Sequence, residues 1–424
     1  MGEQAETTGS GDARTGSAGA ALGIYGKSQA TLNGIKDITS DGTESAKHSP
    51  GSTIDPDTGE VLNPPYDPAQ ALLERYAAQS VARSILPNSQ TAKCLRVSRL
   101  AGGGVEVWYS PDHASAAFGG LVTCHSVWAC PVCAAKITER RRAEVSAAMD
   151  AWKAQGGSVA LLTLTHPHTR ADPLADLLAA EQKALASFFA VRAVKDLLRS
   201  IGRVGQIRAW EVTQGRKREI NNGWHPHFHI LLFLERELSP LELNQVETEL
   251  YRAWSGACRR AGLDSPSRVH GVRLDDGSKA AAYVTKWGMD RELTKGHSKR
   301  AKDGETPFDL LRSVLADPAD RQGRALFAEF AKAFRGKRQL VWSRGLRELL
   351  ELGAEASDAE VAAARMEDCL LLARLSADDW RLVDGLDARG ELLVIAKHGS
   401  ELVLTRFLET LKRRWNDEQT TVQN

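Results

Sequence analysis

The sequence predicts an α+β protein: a central antiparallel sheet flanked by helices, a small cysteine-bearing module before it and a helical region after it. Three observations predict this. Between residues 158 and 290, runs of strand and helix character follow in the order strand-helix-strand-strand-helix-strand. Cys94, Cys124, Cys130 and Cys133 concentrate among short strand-like pieces. Beyond about residue 305 the pattern turns helical. The 424 residues suggest two or three folded units at about 150 residues each. The expected divisions are 1–65, 66–150, 151–300 and 301–424.

In chain order, residues 1–60 hold 26 Gly, Ser or Thr, too few apolar groups to offset the entropy of ordering, and read as disordered. Ala21–Ser28 fits a loose phosphate-loop pattern, but its flanks are low-complexity filler rather than a buried strand and a helix, so it reads as linker. Residues 66–86 have helical spacing of Ala69, Leu72, Leu73 and Tyr76, closed by Pro87-Asn88. Val105–Tyr109 is strand-like. A basic-then-apolar helix runs from Lys136 to Ala154 and stops at Gly156-Gly157. Ser158–Thr165 is an apolar strand, and Leu174–Ser200 a long amphipathic helix. Gln206–Thr213 and His227–Leu234 form a strand pair around a polar hairpin loop. Pro240–Ala261 is a helix, followed by a short strand near Val269–Leu274 and a helix from Ser278.

Composition limits the classes of function. Hydrophobic residues are 42% and charged residues 26%, an ordinary globular mix. Lys+Arg number 55 against 54 Asp+Glu, a net charge of +1, so any positive surface is local. No apolar run approaches the roughly 18–20 residues of a membrane span. The first residues lack a basic segment followed by an apolar one, so a soluble, cytoplasmic protein is expected.

The sharpest local feature is Gly223-Trp224-His225-Pro226-His227-Phe228-His229. Alternation on a strand sends His227 and His229 to one face, about 7 Å apart, and Phe228 to the other. Two imidazoles so placed can converge on one divalent cation. Glu211 is the only acid on the preceding strand, and antiparallel pairing sets it beside them. A mixed imidazole and carboxylate set suits Mg²⁺ or Mn²⁺. His225 is a weaker candidate because Pro226 marks the start of the strand. His166 and His168, separated by Pro167, read as surface loop.

On the helix from Ser278, Tyr283 and Lys286 share a face at i, i+3 spacing. A tyrosine there can attack a phosphodiester, with Lys286 on a neighbouring phosphate. Cys130-Pro-Val-Cys133 is a C-x₂-C knuckle running into a helix, and Cys94 and Cys124 can complete a tetrahedral Zn²⁺ site, with His125 as an alternative ligand. Such a zinc would fasten a segment poor in core. Cys258 and Cys369 are expected in core packing.

Taken together, Leu162-Thr163-Leu164-Thr165, His227-Phe228-His229 and Tyr283-Val-Thr-Lys286 resemble the three motifs of rolling-circle replication initiators of the HUH endonuclease superfamily, most closely the bacterial plasmid Rep proteins. Ser126–Ile137, Gly223–His229, Thr306–Leu311 and Gln339–Leu346 are similar to that branch, and the resemblance covers about residues 90–350. It implies an HUH-type sheet at 151–300 and metal-dependent nicking and joining of origin DNA, single-stranded or in a hairpin. The implied intermediate is a 5′-phosphotyrosine, and the free 3′-hydroxyl primes a host polymerase. With no credible ATP site, a separate host helicase is implied. Where some relatives carry a glutamate four residues before the tyrosine, this chain has Lys279, which leaves termination open. An HUH transposase or relaxase and a non-enzymatic zinc-containing DNA-binding regulator are the alternatives. Homo-oligomerisation is left open, and no membrane partner is expected.

The expected DNA contacts follow the local positive runs. Arg216, Lys217 and Arg218 lie in the hairpin next to the histidines, and Lys295 lies beyond the tyrosine. Trp224 and Trp287 interleave with these runs and can stack on unpaired bases. The acidic stretch 348–390 suggests a tail for packing, dimerisation or a host partner.

Overall fold

The computed structural model describes residues 67–285, 304–364 and 368–423. The central strand is β5 (Trp224–Leu234), and its alternation organises the molecule. Phe228, Ile230, Leu232 and Leu234 project to one face and are essentially sealed from solvent. Leu231 and Phe233 lie on the other face, the one that carries His227 and His229, and are equally buried. Burial of each such side chain contributes roughly 1.5–3 kcal/mol, which fixes the register, because a one-residue slip would exchange the faces.

β5 pairs antiparallel with β3 (Ser158–Leu164) and β4 (Arg203–Gln214). β6 (Val272–Asp275) and β7 (Leu340–Trp342) add the edges, giving the order β6-β3-β5-β4-β7. The Phe228 face is covered by α3 (Leu174–Ala190), α4 (Arg192–Ser200), α5 (Pro240–Ala261), α7 (Pro307–Ala316) and α8 (Arg321–Ala333). The opposite face packs against α2 (Pro131–Ala154) and α6 (Gly277–Thr285) through Val145, Ala148, Trp152, Ala280 and Val284. The helices start where their sequence says they should. Ser239 and Glu242 form a reciprocal capping box ahead of α5, with Pro240 in the first turn, and Gly262 at φ +84° ends it. Thr306 and Asp309 do the same for α7.

The single helix expected over Leu174–Ser200 is two, broken at Val191, which is extended at φ −62°, ψ 128°. Run straight, it would span about 40 Å. The break instead folds α4 back, so that Val194 and Leu198 join Phe188 in one core.

The region after 305, expected to be helical, also contains strands. Besides β7, it supplies β8 (Leu370–Leu375), which pairs with β1 (Val105–Ser110) in a second sheet of order β2-β1-β8, where β2 is Ser115–Gly119. Leu370 and Leu371 are exposed, so no apolar face announced this strand. The helices α9 (Ala377–Gly385), α10 (Arg389–Ala396) and α11 (Glu401–Gln423) share a core with β1 and with α1 (Pro68–Ile85). Arg389, sealed from solvent, bonds Gln79 Oε1 at 2.6 Å, Ser80 Oγ at 3.1 Å and Asp387 at 3.0 Å. Arg96 joins Ser80, Asp384 and Asp387 from the other side. Among the described residues, no helix is long and apolar enough to cross a membrane.

Candidate metal and nucleophile site

The register of β4 on β5 sets Glu211 opposite His227 and Ala209 opposite His229, while β3 sets Thr163 opposite His229. Glu211, His227 and His229 therefore project from the same face. Glu211 Oε2 lies 3.5 Å from His227 Nε2 and 3.4 Å from His229 Nε2. The outer ring nitrogens are held as well: His227 Nδ1–H donates to the His225 carbonyl at 3.2 Å, and His229 Nδ1 bonds Thr163 Oγ1 at 3.0 Å. With each Nδ1 so engaged, both Nε2 atoms face the carboxylate, the arrangement by which histidine ligands are oriented in metal sites. One nitrogen or oxygen from each of the three residues lies within 4.8 Å of the others, so the group could hold a metal ion. Burial works against charge on Glu211, but bonds from His227 and His229 outweigh it and keep the carboxyl well below its usual range.

α6 brings in the tyrosine. Asp276 caps its start, accepting from Ser278 N–H at 2.9 Å and Lys279 N–H at 3.2 Å. Ala280 and Val284 pack on the sheet and turn Tyr283 toward the histidines. The Tyr283 hydroxyl donates to Glu211 Oε1 at 2.6 Å, and its ring lies 4.4 Å from that of His229. Lys279, four residues before Tyr283, is exposed, and Asp276 is occupied as the cap. Lys286, Trp287 and Lys295 lie outside the described residues.

Two expected DNA contacts have other partners. The Arg216 guanidinium is 6% exposed, bonded to Glu305 at 2.6 Å and Asp320 at 2.8 Å. It fastens the hairpin to α7 and α8. Trp224 is 2% exposed, with its ring in the core and its N–H bonded to Glu329 at 2.9 Å. Lys217 and Arg218 are exposed, although Lys217 also reaches Glu305 and Ser313. His166 is not surface loop: its ring is sealed from solvent, 3.8 Å from the equally sealed Glu181. His168 Nε2 meets His225 Nδ1 at 2.7 Å. These partners come from distant segments, so no local pattern could have found them.

The cysteines converge as their spacing predicted. Sγ–Sγ separations are 3.5 Å for Cys94–Cys133, 3.7 Å for Cys124–Cys133 and 3.7 Å for Cys94–Cys130. Four sulfurs at about 2.3 Å from a tetrahedral ion would lie about 3.8 Å apart, so the cluster could hold a metal. The neighbouring sulfurs push the Cys94 and Cys133 thiols above the usual range, because thiolates this close repel unless a cation sits among them. Gln79 N–H donates to Cys130 Sγ at 3.3 Å. Cys258 is buried as expected, whereas Cys369 is only half-buried.

The antiparallel sheet thus sets a phenol against a carboxylate and two imidazoles, a group that could hold a metal ion beside the Tyr283 hydroxyl. Residues 120–370 match the family model described as Replication protein, Rep_1, and the chain belongs to that family. It is 30% identical over 332 residues to Protein rep of Streptomyces lividans, covering 63% of this chain and 70% of that protein. It is 33% identical over 139 residues to a Neomycin resistance protein of Streptomyces cyanogenus, covering 27% of this chain and 31% of that protein. No solved structure matches the chain. The family agrees with the plasmid replication initiator that the motifs resemble.

Proposed function

We propose that the chain initiates rolling-circle replication of a plasmid by nicking one strand of origin DNA and later rejoining it, with Tyr283 as the nucleophile. The observation that carries this reading is the 2.6 Å bond between the Tyr283 hydroxyl and Glu211, inside the group formed with His227 and His229. A phenol has a pKa of about 10 and attacks poorly near neutral pH unless it is oriented on an activated phosphate. Glu211 Oε1 supplies the orientation and His229 backs the ring. Glu211, His227 and His229 would hold Mg²⁺ or Mn²⁺, which when bound neutralises phosphate charge and polarises its oxygens.

In the step itself, the Tyr283 Oη–phosphorus bond forms as the bond from phosphorus to the 3′ oxygen breaks. The phenolic proton leaves by way of Glu211 and ends on the departing 3′ oxygen. The products are a 5′-phosphotyrosine and a 3′-hydroxyl for a host polymerase. A host helicase would open the duplex in the cytoplasm. Cys94, Cys124, Cys130 and Cys133 would hold a structural Zn²⁺. Lys217 and Arg218 in the hairpin, together with Lys286, Trp287 and Lys295, are assigned to the flanking strand.

The test is incubation of full-length protein with single-stranded origin fragments, followed by mass mapping of peptide–nucleotide adducts. An adduct on Tyr283 is expected, absent in Tyr283→Phe, which keeps the ring and its packing. Chelation should abolish it, and Mn²⁺ or Mg²⁺ should restore it. Cleavage that persists in Tyr283→Phe would remove Tyr283 from this role.

A further inference from the structure

The outer edge of β4 is only partly covered. β7 reaches as far as Ala209, and Trp210 N–H still finds the Gln339 carbonyl at 3.3 Å. Cover resumes at Gln214, which exchanges two 2.8 Å bonds with Glu305. Between these points a half-open cleft of about 120 Å³ enters the sheet edge. Its walls include Trp128, Trp210, Phe308 and Phe330, and Glu211 and Tyr283 line it too. Gln339 also lines it, and its side-chain oxygen Oε1 is buried without a hydrogen-bond partner. Alternate peptide groups of a strand face the same edge, so the N–H and C=O of Val212, between Trp210 and Gln214, face the gap.

This combination selects a ligand chemistry. An apolar cavity of about 150 Å³ accommodates a benzene ring, so this half-open cleft of about 120 Å³ admits no more than a single six-membered ring. Aromatic walls favour a flat π-system. The orphaned amide oxygen and the strand-edge peptide call for a ring that carries its own donors and acceptors. A hydrocarbon would leave the amide oxygen unsatisfied. An unpaired pyrimidine satisfies all three demands. Because Tyr283 itself lines the cleft, a base held there belongs to a nucleotide adjoining the phosphate under attack.

We propose that the cleft receives the unpaired base next to the scissile phosphate and that Gln339 reads its edge, making Gln339 a specificity-determining residue. This rests on the nicking reading above. It is tested with the full-length chain, Mn²⁺ and a single-stranded DNA library randomised in sequence. The covalently captured strands and the released strands are both sequenced. In the unaltered protein, one position flanking the break should favour one pyrimidine by about tenfold, the scale of one base-reading pair. Gln339→Leu should flatten that preference to about twofold or less among the strands it captures. Gln339→Glu, of the same shape but without the amide donor, should move the preference to a different base, and it decides the matter alone if the leucine variant does not fold. Absence of base preference at both flanking positions, or the same preference in both variants, overturns the assignment while leaving the nicking reading intact. Absence of any adduct from the unaltered protein rejects the nicking reading, and the base pocket with it.

Discussion

Glu181 shows how much a single side chain can set. It lies beneath β4 with no solvent contact, holding the Trp210 indole N–H at 2.7 Å. Burial, partly offset by that bond, pushes its carboxyl from 4.5 up to about 8. The folded chain therefore keeps a proton that the unfolded chain releases near 4.5, and stability falls as pH rises from about 4.5 to 8. His166 acts in the opposite sense. Burial lowers its imidazole from 6.5 to about 4, so stability rises with pH across that range. The two effects oppose each other up to about 6.5, and from there to 8 Glu181 alone of the two contributes, by up to about 2 kcal/mol. Thermal melts of the wild type should show a declining midpoint between pH 6.5 and 8. Glu181→Gln, which keeps an acceptor for Trp210, should remove most of that decline; an unchanged slope would place the titration elsewhere. The same residue shows where sequence reading stops. Glu211 was legible because it is the only acid on its strand and pairing dictates its neighbour. The roles of Glu181, His166, Arg216 and Trp224 were not, because each is decided by a partner that only folding brings near.

At the scale of elements, the turn into β5 controls the site. Gly223 adopts φ +79°, and a Cβ there would lie 2.8 Å from both Arg170 Cα and Thr169 O. Neither backbone atom can yield cheaply, and the left-handed conformation adds strain for any other residue. Gly223→Ala should cost on the order of 1–3 kcal/mol. It should also shift the start of β5, loosening the His225 carbonyl that holds His227. Denaturant melts would measure the first effect and Mn²⁺ titration the second; a variant with unaltered stability would mean that the loop relaxes freely. The strands and helices between 158 and 285 were legible from period and caps because each has one clearly apolar face. β8 was not, since its leucines are exposed, and neither was the break at Val191, which helical periodicity runs through unmarked. The cleft beside Tyr283 was likewise invisible, being a gap between β7 and the segment at Glu305.

At the scale of the whole molecule, the two ends of the described chain depend on each other. β8 covers the edge of β1, and α10 delivers Arg389 into the interior, where Gln79 relays it to Cys130 Sγ. The cysteine cluster thus receives one of its sulfur donors from a residue held by the far end of the sequence. Removing everything after residue 367 would expose the apolar side chains of Tyr76, Val105 and Val107, now 5% exposed or less. It would also strip Arg96 of its two carboxylates. Unpaired buried charge and exposed core are each costly, so the loss should fall on the cysteine module first. The truncated chain is expected to be cut by protease between residues 67 and 130 and to lose any metal bound at Cys94, Cys124, Cys130 and Cys133, the group that could hold one. The sheet carrying Glu211, His227 and His229 has its own core and should resist digestion for longer. Metal analysis beside limited proteolysis separates the cases: full metal content and an uncut module after truncation would show that the C-terminal helices merely rest on it.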